Sequence, residues 1–195
     1  MRIVLADVRG GEGFVSKDTV AGGFGSRLRP FSKVTGVVAA LKRRFHDLPS
    51  VHLAYAAALA RRAGHTVVGS RGEVVDADVA LVLSSIVDHR RETEWARAMR
   101  ARGARVGFLG LAAQTLPHLF EADADFIIAG EPESAVMRIV AGDVPSGRTA
   151  SPEIADLDAL PFPWWDPLVP PRRRVRVPFA GRPVADQLHR GQRPD

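Results

Sequence analysis

Three short stretches of this chain carry residues that could meet a ligand. Asp7 closes the apolar run "RIVLA" and stands ahead of Gly10, Gly11 and Gly13; Ser84 and Ser85 end "DVALVLSS"; and "AGEPESA" sets Gly130 and Glu131 before Pro132 and Glu133. Glycines behind a strand can bring backbone N–H groups up to a phosphate, and a hydroxyl at a strand end can face a ligand. Neither pattern completes a nucleotide fingerprint: "RGGEGF" lacks the third glycine of G-x-G-x-x-G, no helix opens there, and GxxxxGK[ST] does not occur. Tight loop geometry explains those glycines equally well. Ser84 is also small enough simply to let a neighbouring loop pass. The exposed turn "DHRRE", from Asp88 to Glu92, reads as the polar start of a helix, and Glu131-Pro132-Glu133 as a first turn with proline at its first position and acids complementing the helix dipole. His46, His65, His118 and His189 have no partner at metal-ligand spacing, so a protein-ligated metal is not expected.

Composition narrows the classes further. The absence of cysteine removes disulfides, thiolate zinc, cysteine nucleophiles and iron–sulfur ligation from these 195 residues. The net charge of +5 owes most to Arg172, Arg173, Arg174 and Arg176, so the body is nearly neutral and no nucleic-acid partner is expected. No apolar run approaches the roughly 18 to 20 residues of a membrane span, and "MRIVLADVRGG" is too short for a secretory core, which gives a soluble, cytoplasmic protein with no membrane partner as the expectation.

The elements that must position these residues alternate along the chain. "RIVLADV" predicts a strand buried on both faces, followed by a glycine-broken stretch from 12 to 50, with a short helix in "VTGVVAALKRRF", that is too long for an ordinary connection and is expected to be functional. A helix capped by Ser50 and stopped at Gly64 then leads to a second strand, "HTVVGS". "DVALVLSS", "ARVGFLG" and "DFIIAG" supply three more, separated by helices in "RETEWARAMRARG" and "LAAQTLPHLFEA" and followed by one in "EPESAVMRIVAG". This rhythm predicts an α/β, Rossmann-like (flavodoxin-like) open five-stranded parallel sheet, order 2-1-3-4-5, with helices on both faces and ligands beyond the carboxyl ends of the strands. The domain is expected over residues 1–145, with 146–195 an extended linker and a basic, poorly ordered tail in which Trp164 and Trp165 form a partly exposed apolar patch.

Taken in order, "LPSVHLAYAAALARRAGHTV", "DVALVLSS", "RVGFLGLAAQTLP", "ADFIIAGEPESAV" and "SPEIADLDALPFPWWDPL" resemble the N-terminal cobalamin-binding domain of B12-dependent radical SAM proteins, over residues 1 to 170. The linker I-x-D-L-D-x-L-P-x-P-x-W-D is the most specific match; in that family it leads into the radical SAM barrel. The resemblance implies cobalamin held base-off, with no cobalt ligand from the protein, by Gly22, Gly23, His52, Leu53, Ser84, Ser85, Gly110, Leu111, Gly130 and Glu131. It departs from the family pattern at "LGLAAQ", where a glycine pair is usual, at His52, where a glycine is usual, and in lacking the D-x-H-x-x-G of histidine-ligating relatives. Without cysteines for a C-x-x-x-C-x-x-C cluster, this chain has no iron–sulfur or SAM site; it is expected to be a truncated, non-catalytic module of a methyltransferase or cyclase type, or one served by a separate radical SAM domain or protein. The alternatives are a degenerate interaction or regulatory domain that no longer binds cobalamin, and a nucleotide- or flavin-binding enzyme resting on Asp7 and the glycine loop.

Overall fold

Four predominantly apolar runs build the middle of a sheet: β1 (Arg2–Ala6), β5 (Val79–Leu83), β6 (Arg105–Leu109) and β7 (Phe126–Gly130), most of whose residues are buried. Strands covered on both faces need no polar alternation, and these show none. The computed structural model describes residues 1–10, 14–17, 24–45 and 49–168. Two more polar strands close the sheet's edges, β4 (Thr66–Ser70) and β8 (Gly147–Ser151), giving the order β4-β1-β5-β6-β7-β8. All neighbours pair in parallel. The expected five-stranded sheet is therefore corrected to six strands. β4, β1, β5, β6 and β7 are the five read from sequence, and β8 joins outside β7. Two three-residue strands, β2 (Phe14–Ser16) and β3 (Ser26–Leu28), form a separate antiparallel hairpin within the long connection after β1.

From β1 the chain passes through α1 (Lys33–Phe45) and α2 (Val51–Arg62) to β4 at one edge, then returns across β1 to β5 and proceeds outward through α3 (His89–Ala101), α4 (Leu111–Thr115) and α5 (Pro132–Val140). Reversal of direction at β1 puts helices on both faces. One core lies beneath α2 and α5, where Leu53, Ala57, Val136 and Ile139 meet Ile3, Leu5 and Leu81. The other lies beneath α3, where Trp95, Ala96 and Met99 meet Val4, Val82 and Phe108. No helix among the described residues is long and apolar enough to cross a membrane.

Residues 146–168 are not a free linker. β8 belongs to the sheet, and residues 152–168 run back over α2 as a strap: Trp164 N donates to Ala54 O at 3.0 Å, Arg62 donates to Ala159 O at 3.0 Å, and the Arg61 guanidinium stacks over the Trp164 ring. Trp164 and Trp165, expected to be partly exposed, are half-buried and pack against the α2 core, and Leu168 is buried in it. Gly69 is what admits the strap to β4, because a Cβ there would lie 1.8 Å from Pro167 O. The arginine cluster at 172–176 lies outside the described residues.

Candidate functional site

The parallel sheet brings the carboxyl ends of all six strands to one edge, where ligands bind in folds of this type. Direction reverses between β1 and β5, and the crevice there holds the protein's own side chains. Lys17, just beyond β2, is 2 % exposed. Its ammonium donates to Val8 O at 2.5 Å, Leu83 O at 3.3 Å and Glu92 Oε1 at 2.8 Å, and stands 3.5 Å from Asp7 Oδ1. Glu92 in turn accepts from Ser85 N and Ser85 Oγ, at 2.9 and 2.6 Å. Alongside, Arg27 of β3 pairs with Asp88, which also accepts from Gly10 N at 3.2 Å. The hairpin is pinned by Phe24 O accepting from Ile86 N at 2.9 Å, and Gly25 lies against Ser85 and Val87.

Burial sets the protonation tendencies of this cluster. It pushes the Glu92 carboxyl above its ordinary range, against the pull of Lys17 and the two Ser85 donors. Asp7 is buried too, which alone would raise it, but Lys17, Arg9 and Arg71 together outweigh burial and hold its carboxyl below the usual range. Lys17, with its protons directed at two carbonyls and a carboxylate, is a clamp and not a nucleophile.

The residues expected to hold a ligand divide accordingly. Ser84 and Ser85 do not face a slot. Ser84 Oγ donates to Leu109 O and accepts from Ala113 N, and Ser85 Oγ is committed to Glu92, so both are buried structural bonds at the strand end. Ile86 follows the end of β5, Gly110 and Leu111 that of β6, and Gly130 and Glu131 close and follow β7; all five are half-buried or exposed, and Gly130 N donates to Gln114 Oε1 at 2.8 Å. Gly130 is required by the fold: its φ is +116° and a Cβ would lie 2.2 Å from Ser151 O. His52 is exposed on the first turn of α2, and Leu53 is buried behind it. Gly22 and Gly23 lie outside the described residues.

"DHRRE" is corrected as well. Asp88 and Glu92 are 3 % and 0 % exposed and bind the hairpin and Ser85, while His89 Nδ1 lies 2.8 Å from Ile86 O. Pro132 does occupy the first position of α5; there Ser151 Oγ, accepting from Ala135 N at 3.0 Å and donating to Glu131 O, ties the helix start to β8. Among the described residues, no three His, Asp or Glu side chains are grouped so as to hold a metal ion.

No protein-family model matches this chain, and no curated protein matches it either. A second concavity, of about 460 Å³, lies where β1 and β4 end beside the start of α2, with the strap residues Asp166, Pro167 and Leu168 as one wall. Two buried atoms on residues lining it, Asp7 Oδ1 and Ser50 Oγ, have no hydrogen-bond partner. Sequence reading missed Lys17, Arg27 and this cleft, since the groups that form them are far apart in the chain and carry no local pattern.

Proposed function

We propose that this chain is the cobalamin-binding module of a B12-dependent radical SAM protein of methyltransferase or cyclase type, without catalysis of its own, and that the rim over β5, β6 and β7 meets the corrin. The observation that carries the reading is that rim. Ile86 is 38 % exposed although it directly follows two buried serines, and Gly110, Leu111, Gly130 and Glu131 stand at the ends of the next two strands of the sheet, over a floor fixed by the Ser84 and Gln114 hydrogen bonds. An open, partly apolar rim on a rigid floor suits the face of a flat macrocycle with peripheral amides.

The strand-end serines take no part in this rim. Ser84 and Ser85 have their hydroxyl bonds filled, so no contact of a nucleotide tail is assigned to them. Bound cobalamin would supply cobalt-borne methyl or one-electron chemistry. The chain's share is to orient it on Ile86, Leu111 and the Gly130–Glu131 turn, base-off and without a cobalt ligand, for a separate radical SAM domain or protein. Reconstitution with hydroxocobalamin followed by gel filtration tests this. The corrin spectrum should travel with the protein, and Ile86→Asp should lower retention about tenfold or more with unchanged circular dichroism. Colourless wild-type protein overturns it.

A second reading, an interaction or regulatory domain that has lost the ligand, is favoured by one specific observation: the crevice between β1 and β5 is closed by the Lys17–Glu92–Ser85 cluster. Colourless protein would favour it.

A further inference from the structure

α1 turns its apolar face outward. Val34, Val37, Val38 and Leu41 recur at the i, i+3, i+4 and i+7 positions that line one side of a helix, and all four are exposed, from 40 % for Val38 to 73 % for Val34. Phe31, just ahead of the helix, is 85 % exposed. Ala39, on the opposite side, is buried, and the Lys42 ammonium lies over the Phe14 ring of β2, 5.9 Å from its centre. A surface helix ordinarily does the reverse, with its apolar stripe against the core. The start of α1 is fixed locally: Ser32 Oγ accepts from Thr35 N at 3.2 Å, and Thr35 Oγ1 accepts from Ser32 N at 2.8 Å, a reciprocal cap that needs no other element.

The charges around the stripe select what covers it. The helix sequence, KVTGVVAALKRRF, has no acid, and none occurs between Asp18 and Asp47. Lys33 and Lys42, both exposed, fall on the two edges of the stripe, and Arg29 is exposed shortly before Phe31. A second α1 facing the first would set lysine against lysine with no acid between them. A nucleic acid would take up the cations and leave the valine row in water. A bilayer with anionic headgroups accepts both, because apolar side chains enter the acyl boundary while lysine stems reach back to the headgroups. A convex helix also needs no shaped groove to meet a flat surface. At 13 residues α1 is too short to span and would lie in the plane. We propose that α1, together with Phe31, docks this protein on an anionic lipid surface. This departs from the sequence-based expectation of no membrane partner, which rested on the lack of a spanning run and took no account of helix faces.

Co-sedimentation of the full chain with lipid vesicles tests it. Vesicles of equal parts phosphatidylcholine and phosphatidylserine should carry the protein down, with binding about tenfold or more weaker to phosphatidylcholine alone and falling as salt rises. Val34→Asp should lower binding to the mixed vesicles about tenfold or more and keep the helix, since an acid in the first turn complements its dipole. Val37→Ser, which removes apolar surface without adding charge, should also weaken binding, and Lys33→Gln should weaken it on the mixed vesicles alone. Each variant should keep the wild-type circular dichroism spectrum and the wild-type response to hydroxocobalamin, as none of these residues is on the rim, so failure of the cobalamin reading leaves this test intact. No sedimentation with the mixed vesicles would overturn the proposal and leave the stripe to an acidic protein surface. Equal sedimentation of wild type, Val34→Asp and Val37→Ser would overturn it too, by assigning the attraction to charge elsewhere, such as the arginines at 172–176.

Discussion

Lys17 and Glu92, 75 residues apart in the chain, meet at 2.8 Å where β5 ends, and neither is more than 2 % exposed. Through this pair the long excursion after β1 is fastened to the first turn of α3. The fastening lies in the crevice where a fold of this type most often places its ligand.

Removing one member leaves the other buried and unpaired, which costs about 3 to 5 kcal/mol, while removing both for apolar groups costs much less. Lys17→Met and Glu92→Leu should each lower unfolding free energy by several kcal/mol, and the double variant should be more stable than either single one. Urea titrations of the four proteins measure the coupling. Additive losses would show that the two side chains act independently.

Asp7 gives the chain a defined acid response. Its folded carboxyl lies below the unfolded value of about 3.9, so the stability it contributes is present above that pH and is lost as pH falls through the folded value. Asp7→Asn should therefore be clearly less stable than wild type near pH 7, and the gap should close progressively below about pH 4. Urea midpoints between pH 2.5 and 7 provide the comparison; a gap independent of pH would mean that the carboxylate's charge contributes nothing.

The legible part of this fold is the part built from long local patterns. "IVLA", behind the exposed Arg2, and "VALVL" announce buried parallel strands because every residue in them is apolar, and α2 and α3 follow from helix-forming runs ended at Gly64 and Gly103. β8, "GRTAS", escaped because an edge strand facing solvent needs no apolar pattern, and β2 and β3 because three residues show no period. Asp88 and Glu92 read as surface charges, since only the distant Arg27 and Lys17 make their burial tolerable. At the rim, sequence did place Gly110, Leu111, Gly130 and Glu131 at strand ends, but it could not tell that Ser84 and Ser85 have inward partners.

Gly130 tests the β7–β8 seam and not ligand binding. With φ at +116° and Ser151 O 2.2 Å from an added Cβ, even Gly130→Ala must part the two strands. A loss of about 2 kcal/mol or more is expected, with faster amide exchange over 147–151. Unchanged exchange there would show that the seam yields without cost. Enlarging Gly130 to block cobalamin would confound binding with folding, whereas the exposed Ile86 allows the two to be read separately.

The strap supplies the last prediction, because its attachment depends on a residue with no side chain. Pro167 O occupies the space that a Cβ on Gly69 would need, at 1.8 Å, and backbone on both sides leaves no flexible group to move aside. Gly69→Ala should displace residues 166–168 from β4. Leu168 would then leave the core, at a cost of about 1.5 to 3 kcal/mol, and Trp164 and Trp165 would lose their packing against α2. The expected signs are a red shift in tryptophan emission and a lower urea midpoint. Emission also reports Trp95, buried beneath α3 with its indole N–H donating to Glu73 O at 3.0 Å, so Trp95→Phe should serve as the background for the measurement. A chain ending at Ser151 should show the same loss of stability, since it keeps all six sheet strands but removes the strap. Equal stability of that shorter chain and the full one would mean that the strap rests on α2 without holding it.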